Sequence, residues 1–145
     1  MRLMLVALAL LVSCVLVETA GIIFLIHQLA RVRDIVASRS AYRRGTLLLG
    51  LFLCVVVLHL VQIGLWAVAF WGAGQLPDFE TALYFSLVAY TTIGFGDVVL
   101  GPGWRVLAGL EGLTGVVLVG WSTAFTFAVV NRMYEYWRDA HERTA

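Results

Sequence analysis

Polar positions in this chain are few and grouped, and three stretches between them are almost wholly apolar: residues 3–26, 46–71 and 105–130. Apolar runs longer than about 18 residues read as membrane spans. At roughly 24–26 residues each, they predict helices of about 36–39 Å, enough to cross a ~30 Å hydrocarbon core with some tilt. A fourth apolar stretch, 78–90, is too short to cross. Pro77 suits a first helical turn, and Asp78 and Glu80 suit its positive end, so the pattern predicts a helix that enters the membrane and must return. Its last turn would aim a partial charge of roughly −0.5 at the membrane centre. Gly72-Ala73-Gly74-Gln75-Leu76 reads as a short flexible turret before it, and Gly101-Pro102-Gly103 as the turn into the third span.

The return path is Thr91-Thr92-Ile93-Gly94-Phe95-Gly96-Asp97. Irregular backbone cannot face lipid at membrane depth, because each unpaired N–H or C=O costs several kcal/mol. It survives only inside protein or along a watery path. Gly94 and Gly96 allow positive φ cheaply, so consecutive carbonyls can turn the same way. A Gly-x-Gly also occurs in phosphate loops, but no third glycine follows and no strand–helix unit surrounds it.

Composition sharpens the class. With 145 residues, 61% hydrophobic and 13% charged, the chain reads as an integral membrane protein in which no soluble domain is left over. All ten basic residues are arginine. Arg31, Arg33, Arg39, Arg43 and Arg44 lie in the first inter-span linker, 28–44, against one Asp34; Arg132, Arg138 and Arg143 follow the third span. By the positive-inside rule the first linker and the C-terminal tail are cytoplasmic, and the N-terminus and the 72–104 connection face outward. The five linker arginines serve as a topology signal or also as contacts for anionic lipid headgroups. Trp66, Phe70 and Trp71 read as the outer aromatic belt, and Tyr134, Tyr136 and Trp137 as the inner one. The expected location is a bacterial inner or plasma membrane. Leu11-Val12-Ser13-Cys14 resembles a lipoprotein cleavage box, but the apolar run reaches Ile26, beyond a signal's roughly 7–15-residue core, so a retained span is expected. Cys14 and Cys54 sit mid-span as small buried hydrophobes.

Span, short helix, Thr-Ile-Gly-Phe-Gly-Asp and span together resemble the pore module of the potassium-channel superfamily over residues 46–132. The resemblance implies an all-α membrane protein with three transmembrane helices, a re-entrant pore helix and a selectivity-filter loop, assembled with three identical subunits as a homotetrameric channel. The organisation expected is 1–45 as the N-terminal helix and cytoplasmic linker, 46–131 as the pore domain and 132–145 as a short tail. The carbonyls of Thr92, Ile93, Gly94 and Phe95, with the Thr92 hydroxyl, would form oxygen rings that replace the water of K⁺; Gly96 completes the ion-binding stretch. Potassium in the pore is then the only ligand, without cofactor, enzyme chemistry or nucleic acid. A weakly selective Na⁺/K⁺ channel and a non-conducting membrane assembly module are the alternatives. Span one lacks repeated arginines, so no voltage sensor is expected, and the tail is too short for a ligand-binding gating domain.

The resemblance also assigns supporting roles. Where many bacterial relatives carry a Trp-Trp pair, this chain has Tyr84-Phe85. Phe85 would offer Phe95 apolar packing, and the Tyr84 hydroxyl would meet Asp97. Val88 stands where several relatives place a glutamate, and Thr91 opens the filter. Gly115 lies at the inner-helix hinge of the family, or is a close-packing glycine with Gly109 and Gly112. On helical spacing Val116, Val119, Thr123 and Phe127 share a face toward the pore axis, with Phe127 a dewetting gate or an ordinary core or lipid-facing aromatic. Two acids lie within spans, where an acidic side chain at a helix centre costs about 2.5–3.5 kcal/mol on insertion scales. Glu111 is expected behind the pore helix, bracing it through hydroxyls such as that of Tyr90. Glu18 reads as a hydrogen-bonded packing residue that reaches span two. His27, His59 and His141 share no metal-binding spacing, and His59 and Gln62 are the strongly polar members of span two.

Overall fold

A computed structural model describes residues 2–31 and 40–142; Arg33, Arg39 and Arg143 lie outside the described residues. Among the described residues four helices follow in chain order: α1 (Arg2–Arg31), α2 (Ala41–Gly72), α3 (Phe79–Tyr90) and α4 (Arg105–Glu142). Three of them, α1, α2 and α4, are long and apolar enough to cross a membrane. The short α3 packs between α2 and α4, and α1 lies against α2 and α4 on the other side. The protein is an all-α membrane protein.

The helices are longer than their apolar stretches. Arg31, Arg43 and Arg44 belong to the ends of α1 and the start of α2, and α4 runs well beyond the third apolar stretch. Hydropathy marks where a helix must be dry, whereas backbone hydrogen bonding continues into water. At the end where α2 begins, Arg44 lies over the Trp137 ring, 5.7 Å from its centroid, which ties α2 to the extension of α4.

Both ends of the α2–α3 connection are capped. Gly74 takes φ +66, its N–H donates to Trp71 O at 2.9 Å and that of Gln75 to Phe70 O at 3.0 Å. That bond pair, with a left-handed glycine just past the helix, is a Schellman cap, so the expected flexible turret is instead an ordered helix stop with Leu76 buried below it. Asp78 is the N-cap of α3 rather than its first helical residue, and Pro77 precedes the cap. Its Oδ1 accepts from Thr81 N at 2.7 Å and its Oδ2 from Thr81 Oγ1 at 3.0 Å, which satisfies an otherwise orphaned donor of the first turn.

Phe70 is the hub of an aromatic core at the opposite end of α2 from Arg44. It is fully buried, and its ring meets Trp66, Phe85 and Trp104 at centroid distances of 5.8, 5.5 and 6.4 Å. These contacts join α2, α3 and the entry to α4. They fix α3 against the two helices that flank it.

Candidate functional site

Residues 91–97 leave the C-terminus of α3 with their amides turned back toward it. Thr91 N donates to Leu87 O at 3.2 Å, Thr92 N to Ala89 O at 3.0 Å, and Ile93 N and Gly94 N both to Val88 O at 3.0 and 3.2 Å. Thr91 Oγ1 adds a bond to Leu87 O at 2.6 Å. The carbonyls of Leu87, Val88 and Ala89 at the end of the helix are therefore occupied by the loop. With the N–H groups of 91–94 committed to one side, the carbonyls of the loop are the groups left for the other.

The backbone conformation of the loop repeats that asymmetry. Thr92, Gly94 and Gly96 take φ of +60, +58 and +79, with Ile93 and Phe95 between them on the ordinary side. Alternating hand along a chain turns successive peptide planes the same way, so their oxygens line one edge. Glycine meets this demand without steric cost. A β-branched threonine with positive φ is a genuine outlier, and such strain costs of order 1–3 kcal/mol. Residues 91–97 are all exposed in the single chain, Ile93 at 57% and Phe95 at 69%. Among the described residues no hydrogen bond reaches the carbonyls of Thr92 to Gly96.

A family model described as ion channel, of the two-transmembrane potassium-channel type, matches residues 46–132, from α2 through α3 and the 91–97 loop into α4. The chain belongs to this ion channel family. No curated protein and no solved structure matches it.

In the channel an exposed bond spans the mouth of the loop: Tyr84 Oη donates to Asp97 Oδ2 at 2.7 Å. This bond holds the Asp97 carboxyl below the usual carboxylate range. Phe85 does not pack on Phe95 of its own chain. It is buried, edge-on to Phe70, because the aromatic core of α2 gives it a closed site, while Phe95 projects outward. Val88 contributes its carbonyl to Ile93 and Gly94 and its side chain to a recess of about 500 Å³ behind the loop, lined also by Tyr84, Ala108, Gly112 and Val116.

The residues expected along α4 divide by face. Val116, Val119, Thr123 and Phe127 are all exposed in the single chain, Phe127 at 71%, and the Thr123 hydroxyl donates to Val119 O at 2.8 Å. Leu107, Glu111, Thr114, Leu118 and Ser122 are buried against the other helices. Gly115 packs against the end of the pore helix: a Cβ there would run into the carbonyl of Tyr90, and one on Gly112 would meet Ala89 O at 3.1 Å. Close approach therefore accounts for both glycines.

Glu111 does not bond Tyr90. It is fully buried, neither carboxyl oxygen has a hydrogen-bond partner, and the Ser86 hydroxyl and Trp66 Nε1 are buried unpartnered as well. The Tyr90 hydroxyl turns instead to α2, where it donates to Gln62 Oε1 and meets His59 Nδ1 at 3.0 Å. Gln62 Nε2 in turn donates to Glu18 Oε2 at 2.8 Å, and the Ser122 hydroxyl donates to Glu18 Oε1. Glu18 thus does reach α2, but as the centre of a network. Ser122 and the Tyr90 role escaped the sequence. The available signal was the set of polar residues inside apolar spans, which have to find one another in a medium without water.

Proposed function

We propose that four copies of this chain form a potassium-selective channel that conducts K⁺ passively down its electrochemical gradient. The observation that carries the reading is the alternation of positive φ at Thr92, Gly94 and Gly96 with the amides of 91–94 bonded back to α3. That arrangement leaves the carbonyls of Thr92, Ile93, Gly94 and Phe95, with the Thr92 hydroxyl, as an edge of oxygens. One such edge is a quarter of a coordination shell, and four around an axis replace the hydration of an alkali cation. Sodium is disfavoured because its dehydration costs more than those rings return. The exposed face of α4 at Val116, Val119, Thr123 and Phe127 then lines the cavity below, with Phe127 as the constriction. The apolar exposure of Phe95 and the recess behind the loop belong to subunit contacts in this assembly. The N-terminus and the loop mouth face outward, and Arg31, Arg43 and Arg44 lie at the cytoplasmic headgroups, where anionic lipid is their natural counter-charge.

The test is the bi-ionic reversal potential of the purified protein in liposomes, with its mass in native detergent complexes measured alongside. A tetramer whose current reverses near the K⁺ equilibrium potential supports the reading. Gly94→Ala should abolish selective current, since an L side chain at φ +58 is strained by roughly 1–2 kcal/mol in each of four subunits. Equal Na⁺ and K⁺ permeability in the wild type rejects it in favour of a non-selective cation pore, and absence of flux rejects conduction altogether.

A further inference from the structure

We infer that the first helix acts on the ion-binding loop, with Glu18 as a positioning residue that holds the loop's base through Gln62 and Tyr90. This rests on the channel reading above and deepens it, because it gives α1, which lies outside the family match, a role in the pore. Tyr90 is the last residue of α3 and directly precedes Thr91 and Thr92. Its hydroxyl donates to Gln62 Oε1 on α2. With that proton given away, the hydrogen in the 3.0 Å contact to His59 comes from Nδ1, which fixes the histidine as donor. Gln62 passes the connection on, Nε2 to Glu18 Oε2 at 2.8 Å, and Glu18 Oε1 accepts from Ser122 on α4. Every helix among the described residues contributes a member.

Direction and burial both favour a positioning role. Glu18, Gln62, Tyr90 and Ser122 are each at most 2% exposed, so water cannot substitute for a lost partner, and each bond is held at the low dielectric that strengthens it. Glu18 accepts twice and donates nothing, so it orients the Gln62 amide: with Nε2 toward Glu18, Oε1 must face Tyr90. The same Tyr90 is clamped from behind, since its main-chain carbonyl sits against Gly115 with no room for a Cβ. Side chain and main chain are both fixed at the residue from which the strained Thr92 starts. A rotation of Tyr90 would tilt the Thr91 and Thr92 peptides and spread the lowest oxygen ring.

The experiment uses the full chain in nanodiscs and two readouts. One is deuterium uptake at the 91–94 amides, whose bonds to Leu87, Val88 and Ala89 report the bracing of the loop independently of which ion passes. The other is the K⁺ over Na⁺ permeability ratio. Tyr90→Phe removes one oxygen and keeps the ring; Glu18→Asp keeps the carboxyl group but withdraws it by one methylene; Glu18→Gln preserves reach and can still accept from Gln62. Tyr90→Phe and Glu18→Asp should each speed exchange at 91–94 by about tenfold, the scale of one lost net hydrogen bond, and lower the permeability ratio. Their combination should do no more than the worse of the two, because both cut one chain, and Glu18→Gln should behave as wild type. Wild-type exchange at 91–94 in Glu18→Asp, or additive effects in the double variant, overturns the inference whatever the ion preference. A non-selective wild type with accelerated exchange in the variants overturns potassium selectivity and leaves the positioning role standing.

Discussion

Glu18 and Glu111 are both fully buried carboxylic acids, one on α1 and one on α4, and both lie near the pore helix. Around Glu18 every polar group that can be reached is used: Ser122 and Gln62 donate to its two oxygens, and Gln62 carries the connection to Tyr90. Around Glu111 the geometry is left open: the Ser86 hydroxyl lies against its carboxyl without completing a hydrogen bond, and the Trp66 indole N–H also lacks a partner. An intramembrane acid is commonly taken as a functional marker, yet the two differ in what their removal should do. Deleting a partnered group strands its neighbours, whereas deleting an unpartnered one relieves a cost already present.

The largest effect is therefore expected at the saturated site. Glu18→Leu leaves Gln62 Nε2 and the Ser122 hydroxyl buried without acceptors and should cost on the order of 2–5 kcal/mol, read as a fall in the thermal midpoint of the detergent-solubilised protein. A midpoint equal to wild type would mean that the network has no energetic weight. Gly115→Ala comes next. Its methyl collides with the Tyr90 carbonyl, and forced repacking of this kind costs about 1–3 kcal/mol. Gly120, with open space at its Cβ position, is the matched control and should tolerate alanine. Equal responses at both glycines would mean that the hinge reading of Gly115 outweighs the packing one.

Glu111→Leu should be the mild partner of Glu18→Leu, between no change and about 2 kcal/mol of added stability. The same thermal midpoint checks it. A loss comparable to that of Glu18→Leu would equalise the two sites and remove the distinction between them.

These contrasts follow the division between what the sequence showed and what it hid. The three spans were legible because their signal is cumulative, and the start of α3 because Pro77, Asp78 and Glu80 each carry a local preference. The left-handed residues at Gly94 and Gly96 were legible for the same reason. Thr92 was not, since nothing in a threonine announces a conformation that only its surroundings can enforce. The partners of Glu18 are 44 and 104 residues away along the chain, and helical periodicity places a residue on a face without saying what that face meets. For that reason the expected bond from Glu111 to the Tyr90 hydroxyl is not the one found: that hydroxyl bonds Gln62, which bonds Glu18. Where each helix stops was not legible from the apolar runs, because apolarity ends at the headgroups while α1 and α4 continue past them.

Asp97 extends the comparison to the surface, where the smallest effect is expected. Its carboxylate is exposed and held by the Tyr84 hydroxyl at 2.7 Å. The bond favours the ionised form, so the Asp97 pKa in the folded protein lies below the ordinary 3.8. A depressed carboxylate contributes its stabilisation above the unfolded value and loses it as pH falls through the folded one. At neutral pH the bond is therefore intact, and it is released only in acid below 3.8. Tyr84→Phe removes the first cause of the depression, so the Asp97 titration should move up, and any acid-induced change at the loop mouth should begin at higher pH than in the wild type. Carbon-13 NMR of labelled aspartate side chains reads this midpoint directly. Because water reaches Asp97 and can replace the lost donor, the loop base should stay as protected in Tyr84→Phe as in the wild type. Faster exchange at 91–94 in this variant would place the mouth and the base in one mechanical unit, and the separation between a sealed network below and a wet single bond above would fail.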